Sequence, residues 1–156
     1  TPRKYHSTVT LGKKVYFFGG KSQEGEDLNT VDIYDTETAV WERGVSGGNP
    51  RSFHISLLEE GRIYLMGGNS SGVTSSSDIF VPEVSGDSLS SSIWSNGITG
   101  GRKRKSHSSL SYGDSIYHWG GVDETNQIID ILNITNLDLK YLRIINYLEL
   151  EIKIIE

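Results

Sequence analysis

The chain has 156 residues with 18 glycines, no cysteine and a formal net charge of −5. The absence of cysteine excludes disulfide bonds, thiol catalysis and thiolate metal sites, and it suits a reducing, cytoplasmic location. The acidic balance argues against general nucleic-acid affinity, which needs clustered excess basic charge, and no apolar run approaches the ~20 residues that span a bilayer.

One stretch of the chain occurs three times, as PRKYHSTVTLGKKVYFFGG at 2–20, PRSFHISLLEEGRIYLMGG at 50–68 and KRKSHSSLSYGDSIYHWGG at 103–121. An arginine, a histidine, a tyrosine and a glycine pair recur at fixed positions, the second set 48 residues after the first and the third a further 53. The three sets are Arg3, His6, Tyr16, Gly19 and Gly20; Arg51, His54, Tyr64, Gly67 and Gly68; and Arg104, His107, Tyr117, Gly120 and Gly121. Repetition with a period of about 50 residues predicts a repeat architecture.

The first repeat predicts four short strands. His6–Leu11 is rich in Thr and Val, and a tight turn separates it from Lys14–Phe18, an apolar run typical of a buried strand. The glycine pair ends this run, because glycine permits positive φ and close backbone approach. A polar loop follows, and then the predicted strands Thr30–Asp35 and Ala39–Arg43.

The second and third repeats follow the same plan, with longer serine-rich loops in the second. The strands predicted in the second repeat are Phe53–Leu58, Arg62–Met66, Asp78–Val81 and Ile93-Trp94. Those predicted in the third repeat are Ser106–Tyr112, Ser115–Trp119 and Ile128–Ile134.

The last residues, 136–156, are rich in Leu, Ile, Asn and Lys and contain neither glycine nor proline. Leu148–Ile154 alternates strictly, which favours a strand with one wet face. The wider spacing of apolar residues from Leu137 to Ile155 also fits a helix, so both remain open.

A glycine pair between an apolar run and a polar loop resembles the kelch repeat. That family's motif continues with a tyrosine and then a tryptophan. The counterparts in this chain are Tyr34 and Trp41, then Phe80 and Trp94, and finally the degraded pair Leu132 and Tyr141.

The resemblance covers residues 2–141 and implies an all-β fold of kelch-type β-propeller blades, each with four antiparallel strands. We expect three blades, over 1–48, 49–101 and 102–145, the last with a degraded second half. Residues 146–156 would then form an Ile-rich C-terminal strand or cap. The motif glycines, Tyr34, Trp41 and Trp94 are assigned structural roles.

Three blades cannot close a ring, because propellers have about 4 to 8. The outer faces of the first and third blades would be exposed and apolar, which monomers seldom tolerate. We therefore expect an incomplete propeller or a fragment of a longer protein. The alternatives are that the C-terminal residues cap the third blade, or that two copies pair through their exposed faces.

The repeated arginines lie in the links between blades, which we expect on the same face as the loops after the glycine pairs. In some kelch adaptors arginines on this face bind acidic peptides, and a guanidinium suits carboxylates through paired hydrogen bonds. Arg3, Arg51 and Arg104, with Lys103 and Lys105, are therefore tentative partner-binding residues. The alternative is that the arginines bond loop carbonyl groups.

Other polar groups favour structural interpretations. The three repeated histidines could hold a metal, but zinc ligands must lie ~2.0–2.2 Å from one ion. Equivalent positions on adjacent blades should be much farther apart, so we expect these histidines to pack locally and we expect no metal. The basic run 102–105 could be a nuclear-localisation or polyanion patch, although a solvated loop is more usual. The acidic groups at 24–27 and 123–124 could bind calcium or a basic partner, but they lack regular ligand spacing and favour solubility.

We expect a non-catalytic protein–protein interaction module, an adaptor or scaffold that binds its partner protein through the inter-blade loop face. No cofactor, nucleic acid or membrane is expected. The alternatives are an enzyme on a propeller like that of galactose oxidase, whose copper site needs a cysteine that this chain lacks, and a partial gene product without independent function.

Overall fold

The computed structural model of the chain describes residues 2–43, 46–70, 77–81, 93–96, 102–129 and 133–136. Within these ranges the regular structure is entirely β. The strands are β1 (Ser7–Leu11), β2 (Lys14–Phe18), β3 (Val31–Asp35), β4 (Trp41–Arg43), β5 (Ile55–Glu59), β6 (Arg62–Met66), β7 (Ser77–Val81), β8 (Ile93–Asn96), β9 (Ser108–Tyr112), β10 (Ser115–Trp119) and β11 (Asn133–Asn136). The described residues form no helix that could cross a membrane.

The strands make three antiparallel sheets in chain order. The first is ordered β1-β2-β3-β4, the second β5-β6-β7-β8, and the third has β10 between β9 and β11. The first two repeats therefore each fold as one four-stranded blade, which confirms the all-β prediction. The blade boundaries and the prediction for the C-terminal residues stay predictions, since 137–156 lie outside the described ranges.

The strand register places the aromatic counterparts of the first two repeats opposite each other. In the first blade Tyr34 lies opposite Trp41 across β3 and β4. In the second blade Phe80 lies opposite Trp94 across β7 and β8, although a much longer loop separates them in the sequence. The same pair of strands is thus rebuilt in both blades.

The prediction of one strand over Ile128–Ile134 is wrong. Ile128 forms only an isolated bridge with Val122, and β11 begins at Asn133. Between them Ile129 is 1% exposed, and its amide donates a 2.9 Å hydrogen bond to the carbonyl oxygen of Gly121. This bond closes the loop after the glycine pair, so Ile129 belongs to the loop and not to the strand.

The third-repeat counterpart of Tyr34 also needs correction. Tyr34 lies opposite Val15, and the residue that lies opposite the equivalent Ile116 is Thr135. Leu132 is therefore not that counterpart, because the register puts it three positions too early. Leu132 itself and Tyr141 lie outside the described residues.

Neighbouring blades pack through their apolar faces. The buried cluster joins first-blade side chains, among them Phe18 and Ile33, to Ile63 and Leu65 of the second blade. Trp94 packs edge-on against Phe18, with their ring centroids 6.2 Å apart. The first strands of the blades are also neighbours, since β1 contacts β5 and β5 contacts β9. The blades therefore stack side by side in chain order.

Three described apolar side chains on the outer face of the third blade are exposed, as expected of an incomplete propeller. Leu110, Tyr112 and Trp119 are 57%, 76% and 57% exposed. Phe18 is the first-blade equivalent of Trp119. It is fully buried and packs against Trp94 of the second blade. The same repeat position is thus core in the first blade and surface in the third.

Candidate partner-binding face

Each repeat brings its link and its loop together by the same backbone pairing. The residue after the arginine pairs with the residue after the glycine pair, in both directions, with N···O distances of 2.7–3.1 Å. The pairs are Lys4 with Lys21, Ser52 with Asn69, and Lys105 with Val122. We call the surface so formed the loop face; it comprises the links 2–6, 50–54 and 102–106 and the described loop residues 21–27, 69–70 and 122–127.

The three arginine side chains lie beneath the loop face. Each donates from Nη1 to the carbonyl oxygen of the first glycine of its own pair: Arg3 at 2.8 Å, Arg51 at 2.9 Å and Arg104 at 3.1 Å. Arg51 and Arg104 are 1% and 3% exposed, and Arg3 also forms a 2.6 Å ion pair with Asp32. Their guanidinium groups therefore fix the glycine-pair backbone. Direct contact between these arginines and a partner stays a prediction.

The glycine pair contacts the next blade, as Gly67 and Gly68 show. The amide of Gly68 donates a 2.9 Å hydrogen bond to the carbonyl oxygen of Arg104. A Cβ on Gly67 would lie 2.8 Å from that same oxygen, closer than such contacts occur, and φ is +66° there. The sequence therefore uses glycine where the backbones of two blades meet.

The second and third histidines pack at these junctions. The ring Nε2 of His54 lies 2.8 Å from the Ser7 Oγ of the preceding blade. Burial, reinforced by nearby positive charge, lowers the pKa of both His54 and His107 to about 3, so both are neutral at pH 7. His6, by contrast, is exposed. In the part of the chain that the structure describes, no three His, Cys, Asp or Glu side chains are grouped as metal ligands.

Asp27 links two blades, which the sequence reasoning missed. Its carboxylate accepts hydrogen bonds from Ser52 Oγ at 2.5 Å and Asn69 Nδ2 at 2.8 Å, both in the next repeat, and it pairs with Lys21 at 3.1 Å. The sequence pattern that could have indicated this link is a serine at 52 and an asparagine at 69 in the second repeat, after an acidic loop in the first. The pattern could not be recognised locally, because the contact joins residues of different blades.

Asp123 has a local role in the third-repeat loop. Its carboxylate accepts hydrogen bonds from the Thr125 hydroxyl at 2.7 Å and from the backbone amides of Thr125 and Gln127. These bonds lower the pKa of Asp123. The carboxylate therefore shapes its own turn.

The exposed basic side chains of the loop face are other than the three repeated arginines. They are Lys4, Arg102 and Lys103. Lys103 pairs with Glu124 at 3.2 Å, both more than half exposed, and Arg102 pairs with Asp123 at 3.4 Å. Lys4 is exposed and lines a shallow cavity of about 220 Å³ together with Lys21. Exposed ion pairs of this kind contribute little stability.

Comparison with known proteins gives a consistent picture. The model of the KLHDC2/KLHL20/DRC7 Kelch-repeats domain matches residues 5–147. Ras guanine nucleotide exchange factor F of Dictyostelium discoideum is 29% identical over 136 residues, covering 81% of this chain and 11% of the relative. Kelch domain-containing protein 3 of Homo sapiens is 28% identical over 131 residues, covering 76% and 34%. Kelch-like protein 40 of Mus musculus is 26% identical over 117 residues, covering 74% and 18%. The chain spans about a third or less of the length of these relatives.

Proposed function

Since this chain belongs to the kelch-repeat family, whose members typically mediate protein–protein interaction, we propose that it is a non-catalytic interaction module that binds a partner protein through the loop face. It would serve as an adaptor or scaffold. A cytoplasmic location is part of the proposal, because a chain without cysteine suits a reducing compartment.

The observation that carries the proposal is the identical pairing of link and loop in all three repeats. It sets three polar segments side by side on a backbone held from below by buried arginines. A surface whose loops are fixed before binding loses less conformational entropy on association. The loop face is therefore better suited to recognition than the tight turns at the opposite ends of the strands.

The chemistry of this face favours an acidic segment as the ligand. Lys4 and Lys105 occupy the same repeat position, and Lys103 forms an exposed ion pair with Glu124. A partner carboxylate can replace Glu124 on Lys103 at little cost. Arg3, Arg51 and Arg104 remain proposed contributors, through their positive charge beneath the loops.

Charge reversal tests the proposal, with a control away from the loop face. An array of fluorescent peptides rich in Asp and Glu, each beside its Asn/Gln counterpart, is titrated with the protein. Lys103→Glu combined with Lys105→Glu should weaken acidic-peptide binding at least tenfold and reduce its salt dependence. Lys13→Glu is the control, because Lys13 also pairs with a glutamate, Glu37, but lies in the turn between β1 and β2.

The control should bind like the unchanged protein. Equal weakening by both sets of changes would indicate a general charge effect and not a binding face. An absence of binding to every acidic peptide would overturn the proposed ligand chemistry.

A further inference from the structure

One residue in each link has the same unusual backbone conformation. Tyr5, Phe53 and Ser106 occupy the same repeat position, directly before the repeated histidine, and their φ angles are +60°, +56° and +55°. Positive φ is uncommon outside glycine and is an outlier for a bulky residue. Such conformations persist only where the surrounding structure holds them, and they cluster at sites that bind ligands.

Backbone hydrogen bonds join these three residues into a ladder across the blades. The Phe53 amide donates to the Tyr5 carbonyl oxygen, and the Ser106 amide donates to the Phe53 carbonyl oxygen, both at 2.9 Å. Because the bonds and the φ angles are alike, Ser106 is placed relative to Phe53 as Phe53 is placed relative to Tyr5. The ladder therefore sets the three side chains in one row on the loop face.

Aromatic rings fill the first two positions of this row. The Tyr5 and Phe53 rings are stacked, with their centroids 3.9 Å apart and their planes inclined by 23°. Tyr5 is 48% exposed and Phe53 is partly exposed, so the stack lies at the surface. At the third position the exposed Ser106 has a hydroxymethyl group where a ring would continue the stack. The row therefore offers a ring-sized position beside Phe53.

A lysine accompanies the ring at the first position. The Lys4 ammonium lies 5.5 Å from the centroid of the Tyr5 ring, within the range of a cation–π interaction. Lys105 precedes Ser106 as Lys4 precedes Tyr5, and both lysines make the same bridge to their loops. A ring bound over Ser106 would thus have Lys105 beside it, and a neighbouring carboxylate of the ligand would meet the same basic side chain.

We propose that the partner's acidic segment carries an aromatic side chain, and that this ring stacks on Phe53 over Ser106. The contact rests on the proposed binding of an acidic segment at the loop face, and it adds an aromatic residue next to a carboxylate to that ligand. Stacked rings attract each other beyond their buried area, and the ladder holds Phe53 in place before binding. A nucleic-acid base also stacks on aromatic rings, but the net charge of −5 disfavours its phosphates.

Filling the position from within the chain tests whether it is open. Ser106→Phe should place a ring on Phe53 as Phe53 lies on Tyr5, at a φ that Phe53 already adopts. Ser106→Ala is the control, because it leaves the position open at the same φ. Ser106→Phe should melt at the same temperature as Ser106→Ala or higher. A lower melting temperature would show that the space over Ser106 is closed, and it would overturn the proposed stack whatever the protein binds.

Paired peptides test the ligand. Fluorescent acidic peptides that differ only in one central residue, Trp or Leu, are titrated with the protein. The Trp peptide should bind about three- to tenfold more tightly than the Leu peptide, as expected of an aromatic pair. Phe53→Leu should remove this preference and still bind the Leu peptide. Tyr112→Leu is the control, because Tyr112 is an exposed aromatic residue at the opposite end of β9 from the loop face, and it should keep the preference.

The outcomes separate this contact from the proposed function. Equal binding of the Trp and Leu peptides by the unchanged protein would overturn the stack and leave the acidic ligand in place. A preference that Phe53→Leu retains, or that Tyr112→Leu also loses, would overturn the stack as well. Binding of neither peptide would overturn both the stack and the proposed ligand. Tighter binding of a single-stranded oligonucleotide of equal charge would identify a base as the stacked ring and overturn the peptide contact.

Discussion

The amide of Gly68 donates a 2.9 Å hydrogen bond to the carbonyl oxygen of Arg104, which lies one repeat further along the chain. The neighbouring Gly67 carbonyl accepts a 2.9 Å hydrogen bond from the guanidinium of Arg51, in its own repeat. The glycine pair is thus bonded by the arginines of two successive blades, and Gly19-Gly20 repeats the arrangement with Arg3 and Arg51. The spacing of arginine and glycine pair that each repeat shares therefore sets the contact between blades.

Gly67→Ala should destabilise the chain more than Gly61→Ala. Both positions have positive φ, +66° and +74°, so each substitution should cost about 1 kcal/mol of backbone strain. Only at Gly67 does the new Cβ meet the Arg104 backbone, which should add at least about 2 kcal/mol. Urea unfolding of the two variants measures the difference, and equal losses would contradict a close junction at Gly67.

Arg51→Ala should lower the free energy of unfolding by about 3 kcal/mol, because it leaves the Gly67 carbonyl without its charged donor in a buried site. For a protein of this length that corresponds to a fall in melting temperature of roughly 6–12 °C. Lys103→Ala is the comparison, since its exposed ion pair should contribute at most about 1 kcal/mol. An Arg51→Ala variant that melts normally but loses peptide binding would favour direct partner contact.

Asp27→Ala should cost about 2–3 kcal/mol, because it removes the acceptor of two hydrogen bonds from the next blade, one from the fully buried Ser52. Glu24→Ala, a substitution at an exposed position in the same loop, should change stability by less than about 0.5 kcal/mol. Urea unfolding provides the measurement. A neutral Asp27→Ala would show that the loop contributes nothing to the junction.

Stability should fall as the pH drops from 6.5 towards 4. Burial lowers the pKa of His54 and His107 to about 3 and that of His118 to about 4, against 6.5 when unfolded. In that window the unfolded chain binds protons that the folded chain does not, so each histidine contributes up to about 1.4 kcal/mol of lost stability per pH unit. Above pH 7 these groups should have no further effect.

Unfolding free energies at pH 7, 6 and 5 measure this slope, and His107→Gln should reduce it. The carboxylates with lowered pKa values, Asp35 and Asp123, titrate below this range and do not contribute to it. A stability that is constant from pH 7 to pH 5 would show that the histidines are not buried as described.

Repetition made much of the fold predictable. The glycine pair marks the end of the second strand in each repeat, and strand register follows because a shift by one residue would exchange the buried and exposed faces. The pairing of Phe80 with Trp94 could therefore be inferred despite the long loop between them. The exposed outer face of the third blade followed from the blade count.

The remaining features depend on contacts that the sequence does not encode locally. Ile128–Ile134 is apolar throughout most of its length, so nothing in its pattern separated the loop residue Ile129 from the strand that begins at Asn133. The arginine side chains could equally well have pointed outward, because their acceptor is a backbone carbonyl 16 residues away. The junction role of Asp27 requires both blades to be in place.

Amide hydrogen exchange at the glycine pairs tests most directly whether backbone hydrogen bonds join neighbouring blades. The Gly20 and Gly68 amides should exchange slowly, at rates close to those of the central strands, because each donates to an arginine carbonyl of the next blade. The Gly25 amide donates a 3.2 Å hydrogen bond within its own exposed loop, to the Ser22 carbonyl oxygen, and should exchange much faster. Exchange of Gly20 and Gly68 as fast as that of Gly25 would contradict the junction between blades.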